Sequence, residues 1–191
     1  MRRVYEETWA DAPRDPEPWR WPWRRELLLG ELRAGDHWLD LGCGAGRFLT
    51  LASGGTGVDI AQGALDRAAE NAPGVPLALV EPDGSLPFAH NVFDLVWSSE
   101  TIEHVPDALG LLQECRRVLR PGGRLLLTTP AHPLWRRTAI ALARFDAHFD
   151  PLGQHVRFFT ARSLRGVLAA AGFTDVAIET RHATLVARCA F

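Results

Sequence analysis

Short apolar runs alternate along this chain with segments whose apolar positions recur every three or four residues. Between Arg24 and Leu32, Leu27, Leu28 and Leu32 share one helical face, and Gly30 to Gly35 ends the segment. A strand is expected at about 37–41, a helix near 45–52, a strand at 56–60, a helix at 61–71 and a strand at 76–80. Phe93 to Ser98 reads as a fourth strand, apolar enough to be covered on both faces. Asp107 is placed to cap a helix carrying Leu109, Leu112, Cys115 and Leu119 on one side. After a turn at Pro121-Gly122-Gly123, a fifth strand is expected at 124–129. Thr160 caps a further helix bearing Leu164, Val167, Leu168 and Ala171, which Gly172 closes. The last two strands, about 174–180 and 183–190, lie too close for a helical crossover, so they should pair as an antiparallel hairpin at the sheet edge.

Two stretches stand outside this alternation. Residues 1–23 hold Trp9, Trp19, Trp21 and Trp23 among Pro13, Pro16, Pro18 and Pro22. That density of proline predicts an extended path. Residues 130–158 are expected to form the longest irregular region, on the substrate side of a single 1–191 domain whose first 35 residues are an arm and a helix.

The chemistry concentrates at the end of the first strand. Trp38-Leu39-Asp40-Leu41 runs into Gly42, Gly44 and Gly46, and the next strand ends in Asp59. Glycine lets backbone turn sharply and come close to a ligand. A helix opening near Ala45 would point free N–H groups into the same space. Asp59 is placed to accept hydrogen bonds from a ribose diol, which makes the whole a nucleoside-binding βαβ unit. A dinucleotide turn beginning at Gly42 needs glycine at position 47, where Arg47 stands. The acid-x-G-x-G-x-G spacing instead resembles motif I of the class I S-adenosylmethionine (SAM)-dependent methyltransferases. It favours SAM over NAD.

Composition narrows the class only slightly. At 191 residues, 47% hydrophobic and 23% charged, the chain fits one globular domain. A net charge of −2 gives no global attraction for nucleic acid or acidic membranes. The 21 basic residues are all arginine, which points to coding bias. Cys43, Cys115 and Cys189 make neither a disulfide framework nor a zinc pattern, and no signal peptide or membrane-crossing run is visible. A cytoplasmic location, no metal, no nucleic-acid partner and no membrane partner are the expectations. Oligomeric state is not specified.

The resemblance extends to Ser85-Leu-Pro-Phe88, Asn91 to Glu100, Ile102-Glu-His-Val-Pro-Asp107, Val118 to Leu125 and Asp150 to Thr160. Together these are similar to the type-11 small-molecule methyltransferases over nearly the whole chain from Leu32. The resemblance implies an α/β Rossmann-like three-layer sandwich, with a seven-stranded sheet ordered 3-2-1-4-5-7-6 and strand 7 antiparallel. It also implies SAM as cofactor and a small-molecule acceptor. It places Gly42, Cys43 and Gly44 against the methionine part of SAM, Asp40 near its ammonium, Asp59 on the ribose and Ile60 beside adenine. Asp83, in Glu81-Pro82-Asp83 where relatives often carry Gly-Asp, would meet the adenine amino group, and Ser98 would floor the methyl site. Tyr5 and Trp9 resemble an aromatic pair that lies over the methionine end of SAM in relatives.

Several residues carry two readings. His104 either fixes the loop after the fourth strand or acts as a general base. His132 lies where such folds open their acceptor mouth. His155 and Arg157 either strap a segment onto the sheet or touch the acceptor. Trp19, Trp21 and Trp23 pack the prolyl arm onto the core or form a lid that is mobile until ligand binds. Arg136, Arg137 and Arg144 hold an anionic acceptor or form a solvated helix face. Function stays between a methyltransferase for a partly apolar acceptor, O- or N-methylating, a SAM-binding protein without catalysis, and an NAD-dependent oxidoreductase. A nucleic-acid amino-methyltransferase should carry Asn/Asp-Pro-Pro-aromatic after the fourth strand, where Trp97-Ser98-Ser99-Glu100 stands.

Overall fold

Apolar side chains pointing to both faces of a strand require a layer on each side, and that is how the chain folds. The structure, a computed structural model, describes residues 2–13, 16–82, 84–133, 138, 140, 142 and 156–191. Its strands are β1 (Trp38–Leu41), β2 (Gly55–Asp59), β3 (Leu77–Leu79), β4 (Phe93–Ser99), β5 (Leu119–Pro130), β6 (Thr174–Arg181) and β7 (Thr184–Ala190). They form a seven-stranded sheet in the order β3-β2-β1-β4-β5-β7-β6. The pairs among β1 to β5 are parallel, and β7 runs antiparallel to both β5 and β6. This is the order and the strand direction expected from the sequence.

Among the described residues the helices are α1 (Arg2–Asp11), α2 (Trp21–Glu31), α3 (Gln62–Asn71), α4 (Ala108–Val118) and α5 (Ala161–Ala170). One face of the sheet buries Leu39, Val96 and Leu127 with Leu112 and Val118 of α4 and Leu164 and Leu168 of α5. The other buries Trp38, Leu95 and Trp97 with Leu27 and Leu28 of α2 and Leu65 of α3. Each such side chain contributes about 1.5–3 kcal/mol on burial. Asp107 caps α4 by accepting from the Gly110 N–H at 2.9 Å. Thr160 and Ser163 cap α5 reciprocally. Among the described residues no helix is long and apolar enough to cross a membrane.

The structure corrects three local expectations. The arm is not extended, because the residues before Pro13 contain no proline and form α1. Pro22 falls in the first turn of α2, where its missing N–H costs no helical hydrogen bond. Trp21 and Trp23 therefore sit on a helix; they pack on Phe48 and on the His182 ring, each with centroids 5.1 Å apart. Trp19 stays 52% exposed, so the three tryptophans make no continuous lid surface. The helix expected at 45–52 is only a 3-10 turn at Phe48–Thr50, cut short by Ser53-Gly54-Gly55 leading into β2. Finally, β5 starts before the Pro121-Gly122-Gly123 turn. Leu119 already pairs with Phe93, the turn bulges outward, and pairing resumes with Arg124 beside Leu95. Trp135, Phe145 and Phe149, the three arginines 136, 137 and 144, and both Asp83 and His155 lie outside the described residues.

Candidate functional site

At the carboxyl end of β1 the chain turns back under β2. The amides of Gly42 and Cys43 both donate to the Val58 carbonyl at 2.9 Å. Gly42 has φ +77° and Gly44 φ +52°. A Cβ on Gly42 would stand 2.5 Å from Thr101 Oγ1, and one on Gly44 would stand 3.0 Å from the Trp9 ring. Both positions thus require glycine for close approach as well as for backbone sign. Asp59 ties the turn to the next strand. Its Oδ2 accepts from the Gly44 N–H and its Oδ1 from the Ala61 N–H, both at 3.0 Å. An ionised carboxylate has about four acceptor positions. Two remain, and Asp59 faces a cleft. Burial raises its carboxyl above the ordinary value, opposed by the amide bonds of Ala61 and Gly44.

That cleft has a volume of about 200 Å³, and Gly42, Gly44, Asp59 and Ile60 line it. Its outer wall is α1, which contributes Tyr5 and Trp9. Arg2 donates to the carbonyls of Ile60 at 3.0 Å and Val80 at 2.8 Å. Glu6 accepts from the amides of Gln62 at 2.7 Å and Gly63 at 3.1 Å. Arg67 donates to Pro13 O at 2.9 Å. Burial pushes the Tyr5 hydroxyl pKa up, with the charges of Glu103 and Asp59 adding to it. The Tyr5 ring meets His104 edge-on at 5.8 Å.

The far wall is acidic. Glu100, at φ +55°, lines the cleft. Its Oε1 lies 2.8 Å from Nη2 of Arg24, a guanidinium only 3% exposed, whose Nη1 donates to Ser99 Oγ at 3.0 Å. Glu103 is fully enclosed and accepts from Thr129 Oγ1 at 2.9 Å. Burial, then the neighbouring Glu100 charge, pushes its carboxyl up to about 8. Its backbone carbonyl accepts from the amides of Val156 and Arg157 at 3.0 Å. The Arg157 guanidinium donates to the carbonyls of Val105 and Pro106. Arg157 therefore straps the Ile102–His104 loop, while His104 itself lines the cleft, its Nε2 4.0 Å from Glu103 Oε1.

Of the cofactor residues expected from sequence, Gly42, Gly44, Asp59 and Ile60 converge on the cleft. Cys43 is buried behind it in the core with Leu49 and Trp97. Asp40 and Ser98 are each 1% exposed and do not line the cleft. Asp40 Oδ2 and Ser98 Oγ have no hydrogen-bond partner among the described residues. Burial, then Asp59, drives the Asp40 carboxyl well above its ordinary value. His132 does not line the cleft; it is buried edge-on against Phe158 at 5.3 Å. The expected helix N-terminus at Ala45 is absent, and the Gly44 amide is spent on Asp59. Glu6, Arg24, Glu100 and Thr101 are contributors that the sequence did not single out. Glu100 lay inside a quoted motif, whereas Glu6 and Arg24 act across 56 and 75 residues and carry no local signal.

The order of strands, the glycine turn and the acid at the end of β2 define a nucleoside-binding α/β protein of the class I methyltransferase fold. A family profile described as "Methyltransferase domain" matches residues 18–178. A malonyl-[acyl-carrier protein] O-methyltransferase of Methylococcus capsulatus is 34% identical over 152 residues, covering 75% of this chain and 54% of that protein. The 27-O-demethylrifamycin SV methyltransferase of Amycolatopsis mediterranei is 37% identical over 106 residues, covering 50% of this chain and 39% of the relative. The chain thus spans about half or less of these curated relatives' length. A SAM-dependent methyltransferase structure from Mesorhizobium loti superposes with a TM-score of 0.67 at 22% identity, covering 90% of this chain and 97% of that one. The chain belongs to the SAM-dependent methyltransferase family, and SAM is the family's cofactor.

The residues fit that cofactor. SAM carries a sulfonium and an ammonium, and the cleft is lined by the carboxylates of Asp59 and Glu100, with an unpartnered Asp40 oxygen within the field of Asp59. A cation bound nearby offsets the burial that raises the Asp40 carboxyl. The ribose diol fits the free acceptor positions of Asp59.

Proposed function

We propose that the protein transfers a methyl group from SAM to an oxygen or nitrogen of a small, partly apolar acceptor. The observation that carries this reading is the convergence of the Gly42–Gly44 turn, the Asp59 carboxylate and the Tyr5–His104 pair on one cleft. Bound there, SAM supplies an activated methyl group on its sulfonium. Asp59 would hold the ribose, Asp40 the ammonium and Ile60 the adenine edge, with Gly42 and Gly44 admitting the methionine chain against backbone. Cys43 and Ser98 would shape the floor from behind, and Asp83 would contact the adenine amino group. Tyr5 and Trp9 exclude water from the wall opposite, which strengthens every electrostatic contact inside.

Such a displacement depends chiefly on holding acceptor and methyl in contact, an effect worth up to about 7–11 kcal/mol. His104, on the cleft wall, would take the proton from a hydroxyl acceptor. His155 would touch the acceptor in this reading, whereas His132 is buried against Phe158 and does not line the cleft. The malonyl-[acyl-carrier protein] O-methyltransferase and the 27-O-demethylrifamycin SV methyltransferase named above favour an oxygen acceptor. Incubating the protein with trideuteromethyl-SAM and a metabolite extract, then searching by mass spectrometry for a 17-dalton gain, tests the reading. A labelled product that disappears with His104→Ala supports it. SAM binding with no labelled product from any extract supports the non-catalytic alternative.

A further inference from the structure

Helix α1 has none of the features that normally hold a surface helix to a protein. It buries no residue. The face at i, i+3, i+4 and i+7, which would ordinarily be apolar, carries Arg2, Tyr5, Glu6 and Trp9. Two of these four make polar contacts to the sheet side and two line the cleft. The polar contacts are specific. Helix α3 begins without a side-chain cap of its own, because Ala61 occupies the capping position. Glu6 supplies the missing acceptors from a different helix, one oxygen on the Gln62 amide at 2.7 Å and the other on the Gly63 amide at 3.1 Å. Its negative charge also meets the positive end of the α3 dipole. Helix α3 follows directly from Asp59 and Ile60, so this cap keys α1 to the strand end that carries the ribose-binding acid.

We propose that Glu6 is a positioning residue for cofactor binding. By capping α3 from α1 it fixes Tyr5 and Trp9 over the Gly42–Gly44 turn and so completes the cofactor cleft. This rests on the reading of the cleft as the SAM site. The effect of Glu6 passes through Trp9, whose ring lies 3.0 Å from where a Gly44 Cβ would be, and through Tyr5 against His104. Arg2, on the same face, closes the other end of the helix onto the Ile60 and Val80 carbonyls.

Calorimetric titration with S-adenosylhomocysteine of the full chain and of Glu6→Ala, Glu6→Gln, Trp9→Ala and Glu6→Ala/Trp9→Ala tests this. Loss of a cap corresponds to about a fivefold to tenfold loss of affinity in Glu6→Ala. Glu6→Gln, with a single acceptor oxygen, should fall between it and the parent. The double variant should bind no more weakly than Trp9→Ala alone, because both changes remove one shared wall. The melting temperature without ligand should fall by no more than about 2–4 °C, the cost of one helix cap, since no residue of α1 is fully buried. An unchanged affinity in Glu6→Ala, losses that add in the double variant, or a large drop in melting temperature without ligand would each overturn the proposal. A parent protein that binds no S-adenosylhomocysteine would instead refute the cofactor reading itself.

Discussion

Replacing Arg24 with methionine removes the charge paired with Glu100 of the cleft wall while keeping most of the side-chain volume. The guanidinium is 3% exposed and sits 2.8 Å from Glu100 Oε1, whose side chain is 18% exposed. Deleting one partner of such a pair costs about 3–5 kcal/mol, because the remaining charge is left in a poor solvent. Glu100 faces the cleft, so water reaches part of it and the lower end applies. The stacking of Arg24 on Trp19, 5.3 Å from the ring centroid, adds about 0.5–1 kcal/mol. A loss of about 3–4 kcal/mol follows at pH 8. Burial raises the Glu100 carboxyl and Arg24 opposes that rise, so without Arg24 the carboxyl climbs further. At the ordinary carboxyl value Glu100 is largely neutral in the folded variant and about half protonated in the unfolded chain, so most of this penalty is gone. The deficit should therefore shrink towards about 1 kcal/mol near pH 4.5. Arg24→Met/Glu100→Gln should recover to within about 1 kcal/mol of the parent at pH 8, because no unpaired charge remains. Urea denaturation followed by circular dichroism at both pH values reads each number. A deficit below about 1 kcal/mol at pH 8, or one that Glu100→Gln does not reduce, refutes the argument.

Gly44→Val should fold but fail to bind S-adenosylhomocysteine, since φ is +52° and the new Cβ would press on the Trp9 ring at 3.0 Å; calorimetry showing normal binding would place the cofactor elsewhere. Glu103, with its carboxyl raised from 4.5 to about 8, keeps a proton in the folded protein that the unfolded chain has released. Stability should therefore fall as pH rises from 4.5 to 8, by up to about 1.4 kcal/mol per pH unit for that proton. Glu103→Gln should flatten this slope in urea titrations, and an equal slope in both proteins contradicts the assignment. The β6–β7 hairpin turns through His182 at φ +49° and Ala183 at φ +60° without glycine. Ala183→Gly relieves about 1–2 kcal/mol of left-handed strain against about 0.5–1 of added chain entropy, so the melting temperature should rise by a few degrees; a fall would show that the turn is not strained.

The sheet was legible because its central strands are buried on both faces and α3, α4 and α5 separate β2 from β3, β4 from β5 and β5 from β6. Trp38 to Leu41, Phe93 to Ser98 and the hairpin after Phe173 each announce themselves within a few residues. The glycine turn and Asp59 were legible for the same reason: strand, turn and acid lie within 20 residues. What failed was long-range. Proline content averaged over residues 1–23 hid a proline-free stretch that forms α1. The Trp19, Trp21 and Trp23 alternation looked like a strand face because Pro22 can also open a helix. Glu6 and Arg24 act on backbone and side chains more than 50 residues away, and nothing in their neighbours marks them.

The central claim is that the cleft bounded by Gly42, Gly44 and Asp59 holds SAM. Calorimetric titration of the protein and of Asp59→Ala with S-adenosylhomocysteine, SAM and NAD tests it most directly. Asp59 accepts from the Gly44 and Ala61 amides and in the proposed reading would also hold the ribose diol; a hydrogen bond to a charged group is worth about 1.5–3 kcal/mol. The account predicts micromolar-range binding of SAM and S-adenosylhomocysteine, roughly a tenfold to 150-fold loss in Asp59→Ala, and no binding of NAD. Tight NAD binding with no response to SAM, or an Asp59→Ala variant that binds SAM as well as the parent, would contradict it.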